Sequence, residues 1–516
     1  MEFMKEKYFQ CLLAIFVLFG WPVIPASATV VSTSYGISHQ VNVDASGQNI
    51  PGDAANEPSI CIDPTNPNRM AIGWRQFDTT NSNFRQSGVA YTTNGGLNWT
   101  FPGILEAGTF RSDPVLASDA NGFFYYLGIT NANTDACDLL RSTNGGVTWQ
   151  PVGPAQGGDK EWMTIDTTSG PGRGNIYQAW SPFYNVYNDP FQMFTRSTDG
   201  GQTWMSATVI PQFPYWGTLD IGPNGELYIV GTDRSSIWVN RSTNAPNRSV
   251  NPTFDLTRQV YLGGVLPNGG LPDVNPGGLL GQCWIAVDRS GGSTRGNVYV
   301  LCSVTNDPGN LINVMFSRST DSGLTWSVAM RINDDSPTQH AAHWFGTLSV
   351  AANGRVDACW NDTRHSTNSS LSELYYSWSD NGGLTWAPNR PLSPAFNHSL
   401  GYPQQNKMGD YIGMISLNEC ACIAYTATYN GEEDIYFVRA ELPILAQVTL
   451  LTGTTRISWN GLPGVSYCVQ ALADLHLPWS VATNVACVVA TNSTPFVDAA
   501  LARNTGQRYY RVVRQP

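Results

Sequence analysis

Charge is scarce in this chain of 516 residues: Asp, Glu, Lys and Arg together make up 13%, only 28 residues are basic, and the formal net charge is −11. No basic stripe runs along it, which excludes a nucleic-acid partner. Histidines number 6, and neither His343 nor His365 has a second ligand at a metal-binding spacing, so no metal is expected. No spacing of Asp-rich turns defines a calcium site, and no cofactor is expected. The glycine-rich runs at 263–278 and 291–296 open no helix, so they are loops and not phosphate cradles. Long apolar runs are missing after the first thirty or so residues, which excludes a membrane span in the mature chain.

The early apolar stretch, residues 11–24, follows Lys5 and Lys7 and precedes Ala26, Ser27 and Ala28. That order of charge, apolar run and small residues reads as a secretory signal occupying 1–28, cleaved after Ala28. The protein is therefore expected to be secreted or periplasmic, soluble and monomeric. Nine of the ten cysteines would remain, and an odd number cannot all pair. Most read as small buried hydrophobes; Cys468 with Cys487 is the pair to test first.

What the chain has in abundance is one octapeptide. Residues 92–99 read TTNGGLNW, 142–149 STNGGVTW, 197–204 STDGGQTW, 319–326 STDSGLTW and 379–386 SDNGGLTW. Asp or Asn holds a tight turn through its own backbone, Gly supplies positive φ, and Trp packs the turn down. Each copy therefore marks a hairpin tip within a repeat architecture. The phrase resembles the Asp-box, or bacterial neuraminidase repeat, of sialidases and several other β-propellers. The resemblance covers the turns and the repeat pattern over roughly 57–440. It does not extend to the Arg-Ile-Pro phrase of sialidases, which is absent.

Upstream of the boxes, seven units alternate an apolar segment, a Gly- or Pro-rich turn and a second apolar segment, at 57–74, 113–127, 161–180, 216–230, 284–301, 344–360 and 410–438. Four strands per unit is the size of a propeller blade. The expectation is an all-β chain with a seven-bladed propeller over 29–444, six blades being the alternative. The last unit lacks a fourth strand, and residues 38–43 alternate as a strand that would close it and leave no open edge. Residues 445–516 contain no box and read as a small β-sandwich-like accessory domain.

Propeller geometry places the starts of the innermost strands and the second-to-third connections around one mouth of the central channel, opposite the boxes. The scarce charges gather there. Sialidase chemistry needs converging arginines for the substrate carboxylate, an acid and a nucleophile, for which sialidases use a Tyr activated by a Glu. The resemblance thus implies Arg75, Arg111 and Arg364 as the clamp, Asp113 as acid/base, Tyr411 as nucleophile and Glu57 or Glu161 as its proton acceptor. Lys160, Asp362 and Asp410 would contact substrate, and Trp162 would offer a sugar-stacking face. A secreted sialidase-like hydrolase of terminal acidic sugars on glycans is one reading. A non-catalytic glycan- or protein-binding propeller is another. A hydrolase of a neutral polysaccharide using Asp113 and Glu161 as two carboxylates is the third.

Overall fold

The structure is a computed structural model that describes residues 28–514 except 132, 184–186, 188, 306–311, 337–340, 368–369, 445, 453, 460–465, 473–475, 477–481, 492–494 and 501–508. The expected signal segment 1–28 lies, but for Ala28, outside the described residues. Every described element is a β-strand. No helix among the described residues is long and apolar enough to cross a membrane.

Seven antiparallel sheets follow one another along 30–441. Blade 1 begins with Ala54–Ile62, blade 2 with Ser112–Ser118, blade 3 with Trp162–Ile165, blade 4 with Leu219–Ile221, blade 5 with Trp284–Val287, blade 6 with His343–Val350 and blade 7 with Gly413–Ser416. Each of these innermost strands packs against that of the next blade, and Gly413–Ser416 packs against Ala54–Ile62, so the ring closes. A channel of about 470 Å³ runs down the middle. Every blade's inner strand contributes to its wall, among others through Ile60, Leu116, Met163, Leu219, Ile285, Leu348 and Met414. This is a β-propeller in which period-2 alternation sends apolar residues to both faces of each twisted sheet. Blade 7 takes its outer strand from the far end of the chain, because Ile37–Gln40 pairs with Asp434–Glu441. That pairing leaves no sheet edge between first and last blade.

The octapeptides tie blade to blade. In the first, Thr92 Oγ1 accepts from Gly96 N at 3.2 Å and Asn94 Oδ1 from Asn98 N at 3.1 Å. The other four repeat the Ser-to-Gly bond at 2.8–2.9 Å. Gly96 sits at φ 90° against the Phe437 ring of the preceding blade, a place no side chain can occupy. Trp99 meets the same ring edge-on at 5.1 Å between centroids. The motif thus turns a hairpin and seats it on its neighbour.

Beyond residue 445 lie two three-stranded sheets, one of Ala446–Leu451, Thr454–Trp459 and Phe496–Ala500, the other of Thr483–Val489, Ser466–Leu472 and Tyr509–Arg514. Cys468 and Cys487 are disulfide-bonded across the second sheet, while the other seven described cysteines are free and buried. Ile457, Trp459, Tyr467 and Val469 form a core between the sheets.

Candidate functional site

A backbone kink repeats around the mouth opposite the boxes. Glu57, Asp113, Lys160, Trp216 and Phe345 all have positive φ, at 56°, 50°, 56°, 49° and 61°. Each stands six residues before the residue whose amide opens the first turn of its blade: Asp63, Asp119, Asp166, Gly222 and Ala351. In blades 1, 2 and 6 the strand register also breaks there, between Asn56 and Ser59, Ser112 and Val115, and Trp344 and Thr347. A non-glycine residue in this conformation costs about 1–2 kcal/mol, so five at one register mark a feature the surrounding fold imposes. At three of them the side chain is charged.

Those three charges join a buried network. Glu57 is completely buried and its Oε1 faces Arg75 at 3.0 Å and Lys407 at 3.2 Å. Lys407 also binds Asp410 at 2.7 Å. Lys160 bridges Asp410, at 2.7 Å, and Asp113, and lies 3.8 Å from Asp159. The 263–281 loop buttresses this corner: Leu279 N donates to Asp410 Oδ1 at 2.8 Å, and Asn275 Nδ2 to the Gly409 carbonyl at 2.8 Å. Above the network opens a cavity of about 160 Å³ whose wall includes Asp113, Asp135, Asp159, Lys160, Arg75 and Arg85. Phe110 forms its apolar side, with Phe84 edge-on at 6.2 Å and the Arg85 guanidinium over the Phe110 ring at 5.4 Å.

The environments split the acids. Burial alone would raise the Asp113 carboxyl, but the Lys160 ammonium, followed by Arg75 and Lys407, holds it well below the usual range. Asp410 is lowered for the same reasons, Lys160 and Lys407 outweighing burial. Asp135 is pushed up to about 6 by burial and by the charges of Asp159 and Asp113. Glu57 is pushed up to about 7 by burial, which Arg75 and Lys407 only partly offset. One cavity therefore presents an ionised carboxylate, Asp113, and a carboxyl that keeps its proton to near pH 6, Asp135. Such divergence is how a site obtains an acid and a base from one kind of side chain.

Several sequence-predicted residues take other places. Arg364 binds Asp362 at 2.8 Å and Asp334 at 2.7 Å and stacks over Tyr375 at 4.2 Å, beside blade 6. Asp362 also accepts from Trp360 Nε1 at 2.8 Å. Arg111 pairs with Glu106 and, at 3.5 Å, Asp138. Arg75, Arg111 and Arg364 thus serve three separate sets of acids. Tyr411 is buried, donates its hydroxyl to the Pro114 carbonyl at 3.1 Å, and is held well above its ordinary pKa by burial and by the charges of Glu57 and Asp113. That is the reverse of an activated nucleophile. Glu161 is buried with neither oxygen hydrogen-bonded, and burial and the charge of Asp113 push its carboxyl well above the usual range. Trp162 meets Trp284 at 5.2 Å and Tyr411 at 5.3 Å, edge-on, and lines the apolar channel instead of the charged cavity.

The reading of the sequence missed Asp135, Arg85 and Phe110. Asp135 lies in the second-to-third connection of blade 2, between Phe124–Ile129 and Cys137–Ser142, so the repeat register pointed to it.

No protein-family model matches the chain. It is 26% identical over 275 residues to a xyloglucanase of Paenibacillus sp, an alignment covering 46% of this chain and 26% of the relative. The chain thus spans about a quarter of the length of the curated relative it matches. Among solved structures it is similar to a protein of unknown function from Dyadobacter fermentans, with TM-score 0.46, 12% identity, and coverage of 80% of this chain and 99% of that one. It is also similar to a xyloglucanase from Xanthomonas campestris, with TM-score 0.40, 14% identity, and coverage of 85% and 65%. A third similar structure is an α-L-arabinanase from Penicillium chrysogenum, with TM-score 0.36, 10% identity, and coverage of 80% and 97%.

Proposed function

We propose that the chain is an exported glycoside hydrolase acting on a neutral polysaccharide through two carboxyl groups at the mouth of its propeller. The observation that carries this reading is the pairing, on one cavity wall, of Asp113, whose carboxyl is held well below the usual range, with Asp135, whose carboxyl is pushed up to about 6. The similarity to a xyloglucanase supports it. Asp135 delivers its proton to the leaving glycosidic oxygen. Asp113 acts on the opposite side, as base toward water or as nucleophile toward the sugar. Lys160 and Arg75 keep Asp113 ionised, and Phe110 with Phe84 supplies a stacking surface for a sugar ring. The cavity, at about 160 Å³, is smaller than the roughly 300–1,000 Å³ of most ligand pockets. A polysaccharide would therefore lie across the rim with one unit dipping in.

The sialidase reading is disfavoured because its three arginines are each engaged by different acids and Tyr411 donates its hydroxyl to a backbone carbonyl. The test is reducing-end release by the 29–516 protein from xyloglucan and arabinan, beside a fluorogenic sialoside. Turnover of a neutral polysaccharide that is lost in Asp113→Asn and kept in Arg364→Ala supports the proposal. Turnover of the sialoside alone overturns it. Glycan binding without turnover would make the protein a binding module.

A further inference from the structure

We propose that Asp53, Glu432 and Asp434 form a calcium site that joins the two ends of the propeller ring. Asp53 immediately precedes the first strand of blade 1, Ala54–Ile62, and Asp434 opens the strand Asp434–Glu441 of blade 7. Each residue offers a carboxylate oxygen, and the three oxygens lie within 4.8 Å of one another. Asp434 is completely buried and Asp53 is 3% exposed.

Clustering alone would be weak. The second observation is an orphan: Asp53 Oδ1 is buried with no hydrogen-bond donor, although Oδ2 of the same group accepts from Gln76 at 2.7 Å. Asn42 Nδ2 also approaches that Oδ2, at 3.4 Å, so the side chain is held by one oxygen and the other is left without a donor. Among the described residues no Lys or Arg forms an ion pair with any of the three. Three acids this close and this buried repel one another and lose hydration, a cost that the neutral amide donors around them offset only in part and that a cation would relieve.

The chemistry selects the cation. All the donors are oxygens, which suit a hard ion and not zinc or copper. Calcium takes 6–8 oxygens at about 2.3–2.6 Å, so two ligands on one ion are at most about 5 Å apart, which agrees with the observed spread. The remaining positions have neighbours of the right kind. Asn42 and Asn430 reach the two oxygens of Asp434 at 2.5 and 2.6 Å, and Asn49 reaches Glu432 at 2.9 Å. Rotation about the last side-chain bond of Asn430 would turn its amide oxygen inward, while the Asn42 oxygen stays bound by Ile435 N at 2.9 Å and water completes the shell. The segment is already tied across the closure, since Gly52 N donates to Glu432 Oε2 at 2.6 Å and Ala55 N to the Glu433 carbonyl at 2.7 Å. An ion here would fasten blade 7 and the N-terminal strap to blade 1.

The experiment is thermal unfolding of chelator-treated full-length mature protein during titration with CaCl₂, with terbium luminescence as a direct binding readout. Wild type should show a saturable midpoint rise of about 2–5 °C at hundredfold excess over Kd and sensitised terbium emission displaced by calcium. Asp434→Asn should lose both. Glu432→Gln, at a partly exposed position, should also lose both, and it guards the test against a folding failure of the first variant. A wild type indifferent to calcium, or variants that respond as wild type does, would overturn the site.

Discussion

Replacing Lys160 with methionine tests the network at its centre. The ammonium bridges Asp113 and Asp410, and the residue is 8% exposed. Methionine keeps much of the volume and removes the charge. Taking one partner from a buried ion pair costs about 3–5 kcal/mol, because the other charge stays buried and uncompensated. Lys407 still holds Asp410 at 2.7 Å, so the loss falls mainly on Asp113 and belongs near the lower figure, about 3 kcal/mol at pH 7. The pH dependence is the sharper part. In wild type the folded pKa of Asp113 is depressed, so its contribution is present above the unfolded value of about 3.9 and fades as pH falls through the folded one. In the variant only the weaker pull of Arg75 and Lys407 opposes burial, so the same carboxyl rises, and the penalty of its buried charge fades as protonation removes it. On acidification the Asp113 contribution fades in wild type, while the Asp113 penalty in the variant disappears; the other acids titrate alike in both and cancel in the difference. Urea unfolding of both proteins at pH 7, 6, 5 and 4 should therefore show the gap closing. A gap below about 1 kcal/mol at pH 7, or one that stays constant down to pH 4, would refute the assignment of Lys160 as the counter-charge of Asp113.

Three further outcomes follow from the same geometry. If Asp135 is the proton donor, kcat/KM on a polysaccharide should fall as pH rises past about 6, where the group loses its proton, and Asp135→Asn should cut the rate about 10²–10⁴-fold and remove that limb of the pH profile. Gly96→Ala should destabilise the propeller by about 2–4 kcal/mol in chemical denaturation, because a Cβ there combines left-handed strain with a collision against Phe437; Leu97→Ala, on an exposed neighbour, should be nearly silent. Cys468→Ser should cost about 2–5 kcal/mol. If the residues after 445 fold as a separate domain, calorimetry will show that loss in a minor transition while the main propeller transition stays unmoved.

The fold was legible because its signals are local and repeated. Each octapeptide carries its own turn chemistry within eight residues, and seven apolar–turn–apolar units give strand order without any long-range information. The mouth was partly legible, since Glu57, Asp113, Lys160 and Asp410 stand at equivalent starts of inner strands, and propeller geometry brings such starts together. The partners were not legible. Which cation faces which carboxylate depends on how far each blade is rotated about the axis. Arg364 follows the second strand of blade 6 much as Arg75 lies near the end of the second strand of blade 1, yet it is bound by Asp334 and Asp362, one of them just before blade 6 and the other within it. Asp53 and Asp434 are 381 positions apart, so no spacing rule could have joined them; they meet only because the ring closes.

The repeated kink explains why chemistry collects at one end. An ordinary β-residue at the start of an inner strand would point along the sheet face, into the packing between blades. Positive φ with a bulge re-aims that one side chain. The propeller repeats this device at one register in blades 1, 2, 3, 4 and 6. Blades 4 and 6 place Trp216 and Phe345 there, and blades 1, 2 and 3 place Glu57, Asp113 and Lys160. The strain is therefore a property of the scaffold and present with or without charge, while the identity of the side chain is free to vary. A chain poor in charge can then concentrate acids and bases around one cavity by changing three consecutive blades, leaving the apolar channel wall beneath them intact. On this account Asp113→Leu should fold, because the kink does not depend on the carboxylate, whereas a change that removes the bulge, such as deleting Pro114, should disturb the register of the whole inner strand. If instead Asp113→Leu shifts the blade 2 register, seen as loss of amide protection along Ser112–Ser118, the charge network and not the scaffold would be what holds the kink.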